Sequence, residues 1–339
     1  MDSGVVSPED PAPPAGKPYV VTGTQNGQVT VFSMDEQSGA LTQIHRTSIP
    51  ALSFIDFTEG QAGLLVGHSR RVTAYDLQLP AGELTARSSG ETAGAGIGVS
   101  DDQTGQFVFV ANFSQNRVSF LPYSGDRFGD RTEFNCNRPH QIQVHRNNRW
   151  VYVPCLGNQL AQFNLDANRG TLTPVTPNPV TIDGGPRHLA FHPTLNLLYL
   201  MLEVDSAVAV FDINPETGAL VLPARQQIPS TVSGRPNWSS DIHITPNGRW
   251  LYAFNRDNQE LAQFAVDTQG EISFIRANPM NLGTIRRFAM DPKGKFMILG
   301  TQMGNLSTWQ IDDQTGDIER VSELTGMGNL MWTGIRYFE

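Results

Sequence analysis

Residues 250–264 read WLYAFNRDNQELAQF: an apolar segment, a polar break, and a second segment that ends in an aromatic residue. The first segment is short and dominated by aromatic and aliphatic side chains, as in a buried strand. The break, NRDNQ, is rich in residues that favour tight turns. The stretch therefore predicts a β-hairpin.

The same hairpin pattern occurs seven times along the chain. Neighbouring copies are separated by 43–53 residues, which matches a four-stranded blade of a β-propeller and exceeds a leucine-rich solenoid repeat. The copies end at Phe32, Tyr75, Phe120, Phe163, Phe211, Phe264 and Trp309. We therefore expect an all-β fold, a seven-bladed β-propeller of four-stranded antiparallel blades.

Two further strands complete each predicted blade. Most copies continue through a glycine turn into a short outer strand, as in ETGALVL at 216–222. An inner strand precedes six copies, as in RHLAFHPTL at 187–195, but none precedes the first. Residues 329–338 are therefore expected to supply the inner strand of the first blade and to close the ring.

Composition limits the possible partners. The 339 residues carry a net charge of −9, and an acidic protein is repelled by nucleic acid and by anionic membranes. We therefore expect neither as a partner, and we expect a monomer or a weak homodimer. Any anionic ligand would need a local basic pocket.

The termini and the cysteines bear on domain organisation and compartment. Residues 1–17 are proline-rich and lack the regions of a signal peptide, so we expect a flexible tail followed by one propeller domain at 18–339. Cys136 and Cys155 fit neither a zinc motif nor a redox motif, and we interpret them as free thiols. Free thiols favour a reducing compartment, here the cytoplasm.

Polar residues recur where the predicted inner strands begin and where the next strands end. These positions share one face of each antiparallel hairpin, so their side chains should surround one mouth of the central channel. The inner-strand starts carry His140, Arg187, His188, Asp241, His243, Arg286 and Arg287, and the following strands end at Asn112, Glu203 and Arg256.

Several arginines with a histidine and a carboxylate suit recognition of a small anion, because guanidinium groups bind carboxylate or phosphate bidentately. Either His140 or Glu203 could then activate water. The sequence lacks a dinucleotide fingerprint, a P-loop, a G-x-S-x-G elbow and a compact metal-ligand motif. We expect neither a metal nor a cofactor.

The motifs GGPRHLAFHP (184–193), LEVDSAVAVFDINPETGAL (202–220) and WSSDIHITPNGRWLYAFNRDNQELAQFAVD (238–267) resemble the seven-bladed β-propeller lactonase family, of the 6-phosphogluconolactonase and 3-carboxy-cis,cis-muconate lactonizing enzyme type. The resemblance covers almost the whole chain after the tail. It implies that His140, Glu203, Arg187 and Arg256 are catalytic. Leu202 departs from the family pattern, which usually has Asn there.

The resemblance and the arginine cluster together predict a metal-independent lactonase. The leading substrate is 6-phosphoglucono-1,5-lactone, with Arg187 and Arg256 holding the anion and the developing oxyanion. His188, Asp241, His243, Arg286 and Asn112 are the expected substrate-binding residues. Two alternatives stay open: a lactonase or lactonizing cycloisomerase acting on a dicarboxylate, and a non-catalytic propeller that binds a protein.

Overall fold

The computed structural model describes residues 14–60, 62–230 and 238–339. Regular structure in this part of the chain is almost entirely antiparallel β, with one 3-10 turn at Phe113–Gln115. In chain order the strands are Lys17–Thr24 (β1), Gln28–Met34 (β2), Leu41–Ser48 (β3), Leu52–Phe57 (β4), Gly63–His68 (β5), Arg71–Gln78 (β6), Glu83–Glu91 (β7), Gly98–Asp101 (β8), Phe107–Asn112 (β9), Arg117–Pro122 (β10), Thr132–Asn135 (β11), Gln143–Val144 (β12), Trp150–Cys155 (β13), Gln159–Asp166 (β14), Thr171–Pro174 (β15), Val180–Thr181 (β16), Pro186–Phe191 (β17), Leu197–Leu202 (β18), Ala207–Asp212 (β19), Gln226–Pro229 (β20), Ser239–Ile244 (β21), Trp250–Asn255 (β22), Glu260–Val266 (β23), Ile272–Pro279 (β24), Ile285–Met290 (β25), Phe296–Thr301 (β26), Leu306–Ile311 (β27), Ile318–Leu324 (β28) and Leu330–Phe338 (β29).

These strands form seven sheets, and each sheet is one blade. Blade 1 has the order β29-β1-β2-β3, and blades 2 to 7 contain β4–β7, β8–β11, β12–β15, β17–β20, β21–β24 and β25–β28. In blade 4 the short strand β16 also pairs with β14. Neighbouring inner strands contact each other from β17 through β21, β25, β29 and β4 to β8. The predicted seven-bladed propeller is confirmed.

The ring is closed by the C-terminal strand. Strand β29 pairs antiparallel with β1, from Lys17 opposite Phe338 to Thr24 opposite Leu330. The two ends of the chain therefore share one sheet, and β1 has no free inner edge, as the sequence predicted. Most of the predicted tail, residues 1–13, lies outside the described residues.

The glycine turns between the third and fourth strands have a second role. Gly218 has a φ of 74°, a region that favours glycine, and its carbonyl accepts a 2.6 Å hydrogen bond from the Tyr152 hydroxyl of the preceding blade. Tyr199 and Tyr252 bond to Gly270 and Gly316 in the same way. These buried bonds tie blades 4 to 7 together in series.

Apolar side chains fill the space between neighbouring blades. Val208 and Val210 of blade 5, for example, pack in one cluster with Leu251 and Phe264 of blade 6. The second strand of each blade is buried almost throughout, which explains why the first segment of each hairpin pattern is apolar. No helix among the described residues is long and apolar enough to cross a bilayer.

The prediction that both cysteines are free thiols is wrong. Cys136 and Cys155 form a disulfide with a Cα–Cα distance of 5.8 Å, and both are buried. Cys136 follows the outer strand of blade 3, and the chain then returns to the centre beside the end of β13, so the pairing is visible only in the fold. Because disulfides persist in oxidising compartments, the cysteines give no support to a reducing one.

Candidate active site

A cavity of about 330 Å³ lies at the central axis, where inner strands begin and the next strands end. Side chains from six blades line it: Met331 from blade 1, Ser53 and Phe54 from blade 2, Ile97 and Phe113 from blade 3, His140 and Leu156 from blade 4, Arg187, His188 and Glu203 from blade 5, and Arg286 and Arg287 from blade 7. A larger groove of about 780 Å³ between blades 2 and 3 contains none of these residues.

Irregular pairing explains how consecutive residues reach the same cavity. In a regular strand Arg187 and His188 would point to opposite faces. The ladder between β17 and β18 shifts register between Pro186 and His188, and the ladder between β25 and β26 shifts between Ile285 and Phe288. Such bulges redirect side chains, and both fall where an arginine faces the cavity.

Glu203 lies between two arginines. The Nε atom of Arg187 is 2.9 Å from Oε2 of Glu203, and Nη2 of Arg256 bonds to Oε1. Arg256 also donates from Nε to the carbonyl of Trp238 at 2.6 Å. Both oxygens of Glu203 thus face guanidinium groups, which makes this carboxylate an anchor for the arginines.

Arg187 retains unused donors despite this ion pair. It is 2 % exposed, and its Nε and Nη1 atoms form no hydrogen bond of good geometry within the described residues. Burial lowers the pKa of Arg187 to about 10, with Glu203 opposing that shift, so the side chain is still charged at neutral pH. Unpaired buried N–H groups are costly unless a ligand or water completes them.

Three side chains form a continuous relay away from the cavity. Nδ1 of His140 is 3.1 Å from Nε2 of His188, and Nδ1 of His188 is 2.6 Å from Oδ1 of Asp241. The other oxygen of Asp241 accepts bonds from the backbone N–H of Phe288 at 2.9 Å and from Nε2 of His243 at 3.1 Å. Asp241 is therefore surrounded by donors.

The protonation states follow from these contacts. Burial alone would raise the pKa of Asp241, but the neighbouring imidazoles His243 and His188 hold it well below its ordinary value. Burial, aided by the charge of Arg187, lowers the pKa of His188 to about 3 and that of His140 well below 6.5. At neutral pH the relay is an aspartate followed by two neutral histidines.

An ionised Asp241 fixes both tautomers. It requires the proton of His188 on Nδ1, so Nε2 of His188 must accept from Nδ1 of His140. The lone pair of His140 is then on Nε2, the nitrogen on the other edge of the ring. His140 is thereby prepared to accept a proton, as in other oriented histidine bases.

Arg286 and Arg287 supply the remaining positive charge of the cavity. Neither forms an ion pair with a carboxylate in the described part of the chain, and the Nε atom of Arg286 is buried without a hydrogen bond. Burial lowers the pKa of Arg286, and the nearby charge of Arg256 adds to the effect. Arg287 lies over the ring of Phe54 at 4.9 Å. An anion would satisfy both groups.

Blades 1 to 3 make the opposite side of the cavity apolar. Their lining side chains are Met331, Phe54, Ile97 and Phe113, with Ser53 as the one polar member. The prediction from sequence considered polar residues at the strand ends and therefore missed these apolar lining residues. The inner strand LSFIDF at 52–57 could have indicated an apolar wall, because it begins without a charged residue.

Four predicted site residues lie outside the lining of this cavity. Asn112 is fully buried, and its amide donates to the Gly94 carbonyl at 2.6 Å and accepts from the Ser119 hydroxyl at 2.7 Å. Asp241 and His243 stand behind His188, and Arg256 stands behind Glu203. His140, Arg187, His188, Glu203 and Arg286 come together as predicted from hairpin geometry.

The residues of this cavity do not resemble a metal centre. Within residues 14–60, 62–230 and 238–339, no group of three or more His, Cys, Asp or Glu side chains is arranged to hold a metal ion. The arrangement instead combines an oriented neutral histidine, buried cationic donors and an apolar wall.

Comparisons with known proteins identify the family of the chain. The family model for lactonases with a 7-bladed beta-propeller matches residues 17–333. A 6-phosphogluconolactonase of Yersinia pestis (strain Pestoides F) is 29% identical over 329 residues, covering 93% of this chain and 97% of that protein. A 6-phosphogluconolactonase of Xenorhabdus nematophila is 30% identical over 262 residues, covering 75% and 78%.

Among solved structures, the periplasmic gluconolactonase PpgL of Pseudomonas aeruginosa superposes with a TM-score of 0.85 at 21% identity, over 94% of this chain and 99% of that one. This likeness supports the fold. The family match spans nearly all of the propeller, including every residue that lines the cavity. The chain belongs to the seven-bladed β-propeller lactonase family.

Proposed function

We propose that this protein hydrolyses an anionic sugar-acid lactone, with 6-phosphoglucono-1,5-lactone as the leading substrate. The observation that carries the proposal is the relay from Asp241 through His188 to His140 beside cationic donors without carboxylate partners. Membership of a lactone-hydrolysing family and relatives named 6-phosphogluconolactonase support it.

The first step is attack of water on the lactone carbonyl carbon. His140 takes the proton of this water at Nε2, since its Nδ1 proton is committed to His188. The resulting imidazolium is stabilised through His188 by the negative charge of Asp241. Of the two candidate bases, His140 is favoured over Glu203, because both oxygens of Glu203 are engaged by arginines.

Negative charge then develops on the carbonyl oxygen. Arg187 is suited to receive it, because its buried Nη1 donor is unused and its position is fixed by Glu203. Donors held in place before the reaction stabilise a developing oxyanion with little reorganisation. Collapse of the tetrahedral intermediate breaks the ring C–O bond, and the proton on His140 passes to the leaving alkoxide.

The phosphate of the substrate would bind at Arg286 and Arg287. In the sequence-based hypothesis Arg256 held this anion, but Arg256 is already bonded to Glu203 and to the Trp238 carbonyl. Arg256 is better described as a positioning residue. Burial and the charge of Arg187 lower the pKa of His140, and the negative charge of a bound phosphate would oppose that shift and so strengthen the base when substrate is bound.

The cellular setting belongs to the same set of proposals. A small lactone needs no protein partner, and a monomer or weak homodimer is still the expectation. The cytoplasmic prediction depended in part on free thiols, and the buried disulfide is more typical of an oxidising compartment.

The test is pH-stat hydrolysis of freshly generated 6-phosphogluconolactone, corrected for the spontaneous rate, with and without a chelator. Glucono-1,5-lactone and a glucarolactone serve as neutral and diacid comparisons. Preference for the phosphorylated lactone supports the proposal. Preference for the diacid would indicate that the substrate is an aldarate or muconate-type lactone. A rate no higher than background with all three would reject lactonase activity.

A further inference from the structure

A second, smaller cavity adjoins the candidate active site on its apolar side. It has a volume of about 160 Å³ and shares Ser53, Phe54 and Met331 with the larger cavity. Its other walls come from the ends of β1, β4 and β29, including Leu52, Ile55 and Trp332. We call it the side pocket.

The side pocket is suited to an uncharged group. None of the described residues that line it is ionisable. Leu52, Phe54, Ile55, Met331 and Trp332 form its apolar wall, and the lining is completed by Gly23, Thr24, Gln25 and Ser53. A cavity of about 150 Å³ lined by aliphatic and aromatic side chains stays dry and can hold benzene. The side pocket therefore has the size and polarity of a site for one six-membered apolar ring.

Two polar groups at its walls have no partner. Trp332 is 3% exposed, and its indole N–H forms no hydrogen bond within the described residues. The buried Oγ atom of Ser53, at the boundary between the two cavities, also lacks one. Unpaired buried donors are costly, so each is a candidate contact for a ligand oxygen at the edge of such a ring.

The side pocket lies on the side of the larger cavity opposite the residues proposed to carry out the reaction. The larger cavity has its base and cations on blades 4 to 7, whereas the shared residues lie on blades 1 and 2. A lactone with its carbonyl at His140 and its anionic group at Arg286 would direct other substituents toward Phe54 and Met331. Apart from the Ser53 hydroxyl, the wall on this side consists of apolar side chains.

We infer that the side pocket is a substrate subsite, and that the enzyme hydrolyses anionic lactones that carry an apolar, ring-sized substituent in addition to the phosphorylated sugar lactone. This inference rests on the proposed lactonase activity. It extends the substrate class from polar sugar lactones to aryl- or cycloalkyl-substituted lactone carboxylates.

The experiment uses matched probes: five-membered lactone carboxylates with and without one phenyl group on the ring, as separated regioisomers and diastereomers. Each rate is divided by the spontaneous rate of the same lactone, and 6-phosphogluconolactone is measured in parallel. We expect at least one phenyl isomer to exceed the unsubstituted lactone in kcat/KM by about tenfold or more, since a single methylene in an apolar pocket can give that much.

Leu52 provides the variants, because it lines the side pocket, is absent from the lining of the larger cavity, and is only half-buried. Leu52→Phe and Leu52→Trp should fill the pocket and remove the phenyl preference while changing the unsubstituted lactone by less than about twofold. Leu52→Ala should keep the preference.

The outcomes separate the two proposals. If 6-phosphogluconolactone is hydrolysed but no phenyl isomer is preferred, or if the preference survives in folded Leu52→Phe and Leu52→Trp, the subsite is rejected and the lactonase stands. If no lactone is hydrolysed above background, both proposals are rejected.

Discussion

Replacing Asp241 by Asn tests whether the relay sets the proton on His140. In the native protein one oxygen of Asp241 faces Nδ1 of His188 and the other accepts from the backbone N–H of Phe288. An Asn would have to place its single oxygen at Phe288, because a backbone N–H can only donate. Its amide group would then donate to Nδ1 of His188 and reverse the tautomer.

The reversal is transmitted to the base. His188 would carry its proton on Nε2 and donate to Nδ1 of His140, so the proton of His140 would lie on Nε2, where the lone pair is needed. The opposite amide orientation would keep the native tautomer of His140 but would leave the Phe288 N–H unpaired, at a cost of about 1–3 kcal/mol. The competent tautomer would then be about 5- to 150-fold less populated than the reversed one. Loss of the carboxylate charge adds to this, and the corresponding change in serine proteases lowers kcat by about 10⁴.

We therefore expect Asp241→Asn to lower kcat for 6-phosphogluconolactone by about 10² to 10⁴ at neutral pH. The assay is pH-stat turnover together with a thermal melt. Asp291→Asn is the matched control, because Asp291 is also fully buried and accepts backbone bonds in the turn after β25, and it does not line the cavity. Equal kcat in folded Asp241→Asn and wild type would refute the relay.

Three further predictions follow from the same contacts. Because the base form of His140 exists above a pKa held well below 6.5 by burial and by Arg187, kcat/KM should stay level as pH falls from about 8 to about 6 and decline only in more acid solution; a pH–rate profile with a step near 6.5 would contradict this. Arg286→Ala should raise KM for the phosphorylated lactone by about 10- to 100-fold and leave glucono-1,5-lactone nearly unchanged, since only the phosphate needs its charge; equal effects on both substrates would argue against a phosphate contact. Deleting residues 330–339 removes the inner strand of blade 1 and should unfold the whole propeller, measured by circular dichroism and gel filtration, whereas a folded monomer with a normal melt would show that closure by β29 is dispensable.

Most of the fold could be predicted from the sequence repeat. Aromatic strand ends spaced by 43–53 residues indicate blades, and the missing first inner strand together with the extra last one indicates closure through residues 329–338. These are periodic signals, and a propeller is a periodic structure. The disulfide was missed because Cys136 and Cys155 become neighbours only when the chain returns from the rim of blade 3 to the centre of blade 4.

The sequence predicted where most residues of the candidate site lie, but it predicted less well what each side chain contacts. Hairpin geometry brought Arg187, His188 and Glu203 to one face, but alternation along a strand could not show that Arg187 and His188 share a cavity. That depends on the bulge at the start of β17. Asn112 shows the opposite error: it lies at a strand end where a site residue was expected, but its side chain bonds to the Gly94 carbonyl instead of lining the cavity.

The central claim is that His140 is the base. The most direct test compares kcat for 6-phosphogluconolactone in wild type, His140→Gln and Glu203→Gln, with each variant shown to be folded. The account predicts that His140→Gln lowers kcat by at least about 100-fold, as loss of a general base does. Glu203→Gln should lower kcat by a smaller factor, because it releases Arg187, the oxyanion donor, without removing the base. Wild-type kcat in His140→Gln, with kcat lost in Glu203→Gln, would contradict it and assign the base to the carboxylate.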